Sequence, residues 1–479
     1  LFKQIYMRLI VLALFFSLFI TIGIGQIINP NIVESTILID GQFDEWGAYP
    51  EYQDNRNESE SNDIIKVANG NDSTMIYFHI EVNTEFDLFD NNTLVLYLDG
   101  DGNPQTGTSI NNIGAEWKVD FSAKKIFDLS DPEFSIKMSG VPVIALPTFT
   151  SNKFEIGIST TNLINGKKLI EGPQFGYSFL FDELRGDQVP ADGEQLYRDF
   201  NKFNRNQSVK YNLEQQENTI RLITYNVLHD GLIKPERKNK FTSFLSATKP
   251  DIIGFNECWK TTEQQAKSLL DKSLPGSTWY VKKLDGNITC SKYEIVKSWD
   301  VLPKSRLLAC LIQINSTTQA LHINAHLSCC AKDDRRLEQA VALSEFIEKL
   351  KADSTITKQT AILISGDMNL VGLKQQYNVL KNGNNKLNGS DVDSTSLTDL
   401  LAYQTNGKSA ITWRDGKSSY PPGRLDYIFY SDFNIEPKSA YILDCSLLSP
   451  KELKYFDGLN SKSSEISDHL PIIFDFSIK

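Results

Sequence analysis

Eight side chains between residues 226 and 469 of this 479-residue chain are of the types that handle phosphate esters, and each lies at or beside the end of an apolar run. Asn226 closes LITYN, Glu257 closes IIGFNE and His326 sits in ALHINAHL. Asp367 and Asn369 fall in ISGDMN, Asp426 in GRLDYIFY, and Asp468 and His469 in SDHLP. Four carboxylates, two carboxamides and two imidazoles make a hard-donor inventory without a Cys/His cage, which suits Mg²⁺ or Mn²⁺. Such an ion holds a phosphate and keeps several waters. Singly, each residue has a plain structural reading. An Asp after Gly is usually a turn residue and Ser-Asp-His can cap a helix. Arg424 is either a phosphate ligand or half of a structural ion pair, and the same holds for Arg306, Arg335 and Arg336. His322 and His326 alternate on one strand; His326 is preferred because it sits beside the strand end. His229, near Asn226, reads as an exposed loop residue.

These residues need elements that bring them to one edge. From Ile220 strands alternate with helical stretches, as in a layered α/β domain. IRLITYN, DIIGFNE and AILISGD read as strands, and KNKFTSFLSATK as a helix ending before Pro250. RRLEQAVALSEFIEKL spaces Leu337, Val341, Ile347 and Leu350 along one helix face. Strand ends can converge on one rim, so six loops could assemble a single site.

Seven stations in order over residues 220–477 resemble the endonuclease/exonuclease/phosphatase family: TYNV, GFNE, SKYEIV, AHL, GDMN, GRLDYIFYS and SDHLP. The resemblance implies an α/β four-layer sandwich, two packed sheets flanked by helices, and a metal-dependent phosphoesterase. It implies that Glu257 ligates the ion, with Asn226 and Asp468 beside it. It further implies that Asp426 orients His469, that Asp367 and Asn369 orient the attacking water, and that His326 donates a proton or hydrogen bond to the phosphate or leaving group. Whether His469 activates water or clamps phosphate stays open. Glu294, Asn256 and Ala325 depart from common residues of the family and leave the substrate open. The classes are a phosphodiesterase or nuclease, a phosphomonoesterase or phospholipid-type hydrolase, and a non-catalytic tethering module. The long connection 371–423 suggests that Tyr420, Pro421 and Pro422 line one side of the cleft, with Tyr420 and Arg424 touching substrate.

The first half has a different texture. Residues 27–200 carry 11 basic against 29 acidic side chains, whereas residues 201–479 carry 36 against 31. The acidic half is a poor nucleic-acid platform, and the asymmetry predicts separate domains. IVESTILID, IIKVAN, MIYFHIEV, TLVLYLD, AEWKVDF, KFEIGI and FGYSFLF read as short strands of an all-β sandwich over 30–195. His79 reads as a packed strand residue. The loop DGDGNPQTG offers Asp99, Asp101 and Asn103 either to a structural Ca²⁺ or to plain Asx turns. With the DGQFDEW opening and the VAN strand, it resembles family 9-type carbohydrate-binding sandwiches. That resemblance implies a glycan partner, with Trp46, Trp117 or exposed tyrosines stacking on sugar or serving as core.

Hydrophobic residues make up 41% and charged residues 23%, which excludes a disordered chain and a polytopic membrane protein. Lys3 and Arg8 precede an apolar run from Leu9 to Ile22 and small residues Gly23 and Gly25, which reads as a signal peptide over 1–25. The expected location is therefore secreted, periplasmic or extracellular. The expected organisation is signal 1–25, β-sandwich 30–195, linker 196–218 and catalytic domain 219–479, acting as a monomer. Six cysteines, all in the second half, permit disulfides; Cys258 with Cys329 or Cys330 is the favoured bridge. A zinc site of His326, Cys329 and Cys330 is the weaker alternative, since no second metal-spaced pair exists.

Overall fold

The computed structural model describes residues 37–54, 62–182, 186–200, 213–383, 396–405, 407–455 and 463–479. The leader at 1–25 and most of the 196–218 linker lie outside the described residues.

Apolar residues in the first half recur with the period of strands, and the strands pair into two antiparallel sheets. One joins Glu51–Gln53, Ile64–Asn71, Met75–Phe86, Ser151–Ser159 and Val143–Leu146 in that order. The other is built around Gln174–Leu180, Val95–Asp99, Trp117–Asp120 and Lys125–Asp128. Phe78 of the first sheet meets Tyr177 and Phe179 of the second edge-on in their shared core. IVESTILID does not form a strand where it is described; from Ile37 on, only Ile39 pairs, in a bridge to Ser409. Trp46 and Trp117 are core residues, 2% and 1% exposed, which removes them as sugar platforms. A sandwich needs such bulk between its sheets, and the indole N–H of Trp46 is satisfied by Glu155 at 2.8 Å. His79 is buried beside the Trp46 ring, and burial pushes its imidazole down to about 3.

From Ile220 two six-stranded sheets pack face to face. The first runs Tyr280–Leu284, Asn287–Ser291, Ile252–Asn256, Ile220–Asn226, Ile472–Ile478, Ile435–Ile442; the second runs Glu294–Asp300, Leu307–Gln313, Gln319–His326, Ala361–Asp367, Asp426–Tyr430, Thr398–Asp399. Leu222, Ile252, Leu308, Leu363, Ile428 and Phe474 fill the space between them. Helices Pro235–Thr248 and Glu263–Ser273 cover the outside of the first sheet, and Asp333–Ala352 with Gln375–Asn382 the outside of the second. This is the α/β four-layer sandwich. Among the described residues no helix is long and apolar enough to cross a membrane.

The two halves touch extensively. Ile37, Ile39 and Trp46 share a cluster with Ala410 and Ile411, and Phe149 stacks on Tyr377 at 4.9 Å.

Candidate active site

Register aligns the site. Gln319–His326 and Ala361–Asp367 run parallel with His326 opposite Asp367, and Asp367 in turn stands opposite Asp426 on the antiparallel neighbour. Three consecutive strands thus end on His326, Asp367 and Asp426 side by side. On the facing sheet Asn226 stands opposite Asn256. The close approach behind Asp367 requires Gly366. Its φ is +142°, and a Cβ there would lie 1.8 Å from the Ala325 carbonyl oxygen.

At this edge the Asn226 amide donates to Asp367 Oδ2 at 2.9 Å and to Glu257 Oε1 at 3.2 Å. His469 Nδ1 bonds Asp426 Oδ2 at 2.7 Å, while its Nε2 lies 3.4 Å from the Asn226 amide and 3.7 Å from Asp367 Oδ2. His326 Nε2 lies 3.5 Å from the same Asp367 oxygen. Asn369 is placed by its own N–H to Asp367 Oδ1 and by its side-chain amide to Leu327 O. Both Glu257 (φ +61°) and Asn369 (φ +44°) hold the left-handed conformation that non-glycine residues rarely adopt, a strain that clusters at functional sites. Asp468 is half-buried and faces the 413–423 hairpin, where the Trp413 indole N–H donates to its Oδ2 at 3.1 Å.

Burial pushes the Asp367 carboxyl up to about 7, against the opposing pull of His469. Burial alone would lower His469; the carboxylates of Asp426 and Asp367 outweigh it and hold the imidazole at about 10. His326 goes the other way, driven well below its ordinary value by burial and by Arg306 and His469. The two imidazoles on one rim are thus pushed in opposite directions, the separation that acid–base chemistry uses.

The donors fit a hard divalent ion. Carboxylate oxygens of Asp367 and Asp426 lie within 4.8 Å of one another, and Asp426 Oδ1 is buried without a partner. Glu257 reaches the same group through Asn226.

Not every residue that the sequence nominates faces this cluster. Arg424 is buried in a two-point ion pair with Asp399, at 2.6 and 3.0 Å, and lies 4.1 Å above the Tyr427 ring; its donors are not free for phosphate. The Tyr420 hydroxyl donates to Asp90 at 2.9 Å under the Lys124 cation, so this side chain is committed to the first half rather than to a ligand. All six cysteines are free; Cys258 is buried in the core while Cys329 and Cys330 are exposed, so the bridge between them is not formed. His326 joins Asp367 and not the thiols. In the loop at 99–107, Asp99 and Asp101 accept N–H groups from Gly102 and Asn103, and Asn103 accepts from Gln105, the Asx-turn arrangement. Asp99 and Asp101 also form an acidic group with Glu116, carboxylate oxygens of the three lying within 4.8 Å of one another. His322 is buried on Ser365 and His229 is exposed beside Glu257.

Sequence reasoning missed the carboxamides behind the site. Asn256 donates to Asn287 and Asn324 and accepts the Asp367 N–H, stitching one sheet to the other. The signal was an Asn inside each of three apolar strands, GFN, NIT and HIN, since a buried amide must find partners.

The sequence model of the Endonuclease/Exonuclease/phosphatase family matches residues 223–469. No curated protein matches the sequence. Similar solved structures include the human Nocturnin catalytic domain, at 20% identity over 56% of this chain and 97% of that one, with a TM-score of 0.37. TDP2 from C. elegans has 15% identity over 55% and 76%, with a TM-score of 0.37. ANGEL2, described as a 2',3'-cyclic phosphatase, has 19% identity over 56% and 99%, with a TM-score of 0.38.

Proposed function

This chain belongs to the endonuclease/exonuclease/phosphatase family, and on that footing we propose that it is a secreted, divalent-metal-dependent hydrolase that cleaves a phosphodiester by in-line attack of water. Members of this family generally act on phosphate esters. One observation carries the reading: the Asn226 amide ties the Glu257 and Asp367 carboxylates together within reach of the His469–Asp426 pair.

Mg²⁺ or Mn²⁺ held by Glu257, with Asn226 and Asp468 beside it, would polarise a phosphoryl oxygen and offset charge on the leaving oxyanion. The rest belongs to the chain. Asp367, with its raised affinity for a proton, accepts from the attacking water while Asn369 fixes that water's direction. The His469 cation, held in one orientation by Asp426, clamps a non-bridging phosphate oxygen as negative charge grows there. Neutral His326 donates a hydrogen bond on the leaving-group side. On this reading residues 219–479 are the catalytic domain, and the leader at 1–25 directs export.

Purified protein offered supercoiled plasmid, bis-p-nitrophenyl phosphate, p-nitrophenyl phosphate, sphingomyelin and inositol phosphates, with Mg²⁺, Mn²⁺, Ca²⁺ or EDTA, tests this. Metal-dependent cleavage of the diesters is expected. Turnover only of monoesters would move the assignment to a phosphomonoesterase, and cleavage of nothing with glycan retention would make the chain a tethering module.

A further inference from the structure

An aromatic side chain is left exposed beside this cluster. Trp259 follows the Glu257 loop two residues on, is 40% exposed, and its ring centre lies 6.1 Å from that of His326. A large apolar ring left in water next to buried catalytic groups has an unfilled contact surface.

The ring is held in place. Gly286 lies behind it, where a Cβ would come within 2.8 Å of Cε3 and Cζ3, so only a glycine leaves the indole its position. The Cys258 N–H donates to Gly286 O at 2.7 Å, and Lys283 Nζ bonds the Trp259 carbonyl at 3.3 Å. Arg306 lies over the indole at 5.7 Å, itself fixed by donating to the carbonyls of His326 and Leu327. The ring thus carries one cation, Arg306, over it, and a second, Lys283, on its backbone carbonyl. A membrane wedge would set further apolar side chains there, whereas a polyanion carrying planar rings needs both a ring and positive charge.

We propose that Trp259 is a stacking platform for a nucleobase next to the scissile phosphate, and that the substrate class is therefore nucleic acid or nucleotide. This rests on the reading of the adjoining cluster as a phosphate-ester site. Stacking contributes ~1–3 kcal/mol per base, which converts to roughly 5- to 150-fold in affinity.

Adenylate and ribose phosphate carry the same phosphate and sugar and differ in the base. Binding of each to the full chain is measured by calorimetry with Mg²⁺, for the wild type, Trp259→Leu, Trp259→Phe and Gly286→Ala. The wild type should prefer adenylate by about 5- to 150-fold. Trp259→Leu should bind the two equally, Trp259→Phe should keep the preference, and Gly286→Ala, which retains the indole but displaces it, should weaken it. Equal binding in the wild type, or an undiminished preference in Trp259→Leu, overturns the proposal. So does sedimentation with sphingomyelin vesicles that Trp259→Leu loses, because the ring would then serve a lipid surface. Base preference without ester cleavage would refute the hydrolase reading and leave the platform standing; cleavage without base preference would do the reverse.

Discussion

Gly423 lies where the first half of the chain presses on the hairpin that supports the His469–Asp426 pair, and Gly423→Ala probes that contact. The hairpin base is closed by Trp413 and Gly423, which exchange backbone bonds at 2.9 and 3.0 Å. Trp413 also pairs with His469, and Arg414 N donates to Asp468 O. A Cβ on residue 423 would lie 2.9 Å from Thr148 Cγ2. Thr148 cannot swing away freely, because its hydroxyl donates to Leu370 O at 2.7 Å and lies 3.2 Å from Arg424 O. Giving up those bonds costs ~1–3 kcal/mol, and an off-rotamer side chain costs ~0.5–1.5 kcal/mol. The alternative is a shift of the 423–426 backbone, and with it Asp426. Misplacement of a catalytic group by about 1 Å costs ~10²-fold, so a few tenths of an ångström should cost roughly 3- to 10-fold in kcat. Thr148→Ser removes the offending methyl and keeps the hydroxyl. We therefore expect Gly423→Ala to lower denaturant stability by about 1–3 kcal/mol and kcat on bis-p-nitrophenyl phosphate by roughly 3- to 10-fold, with both largely restored in the Thr148→Ser background. Wild-type behaviour of the single variant, or no recovery in the double variant, refutes the steric reasoning.

His469→Ala and Glu257→Gln should each lower kcat by about 10²–10⁴-fold without changing the far-ultraviolet circular dichroism; retention of activity in either removes that residue from the site. The pH dependence of stability follows from His469, whose raised proton affinity stabilises the fold fully below the ordinary imidazole value near 6.5, a contribution lost as pH rises through about 10. In EDTA, Tm should therefore fall between pH 7 and 10 in the wild type, and fall less in His469→Gln; parallel curves would refute it. Arg424→Met leaves the largely buried Asp399 carboxylate with only the Tyr377 hydroxyl at 3.2 Å, so a loss of up to about 3–5 kcal/mol in denaturant stability is expected; a raised KM at unchanged stability would return Arg424 to the substrate.

The strands that carry the site were legible because each ends on a polar residue after a largely apolar run. LITYN, IIGFN and ISGD fall on Ile220–Asn226, Ile252–Asn256 and Ala361–Asp367. Their meeting was not legible from spacing alone and was expected only from the family resemblance, since register between strands sets it: His326 faces Asp367, and Asp367 faces Asp426, across separations that no local pattern encodes. Arg424 and Tyr420 were misread for the same reason. Their partners, Asp399 and Asp90, lie in segments with no chemical signature, and Asp90 is 330 residues away. Trp46 and Trp117 look like ring platforms in a sequence and are core in the fold, because aromatic enrichment alone does not tell the inner face of a sandwich from the outer.

The buried carboxamides explain why this edge stays rigid. Between two sheets an unpaired amide costs ~1–3 kcal/mol, so Asn256, Asn287 and Asn324 persist only where each satisfies another. The donations from Asn256 to Asn287 and Asn324, at 3.1 and 2.8 Å, link strands of both sheets, and Asn256 Oδ1 receives the Asp367 N–H at 3.1 Å. A leucine in place of Asn256 would satisfy the apolar pattern and remove the acceptor that fixes the Asp367 backbone. The cost would then fall on two quantities at once, stability and the direction of the Asp367 carboxylate. A polar residue inside an apolar strand here belongs to the same construction as the Asp367 carboxyl one sheet away, which couples the core to the proposed chemistry.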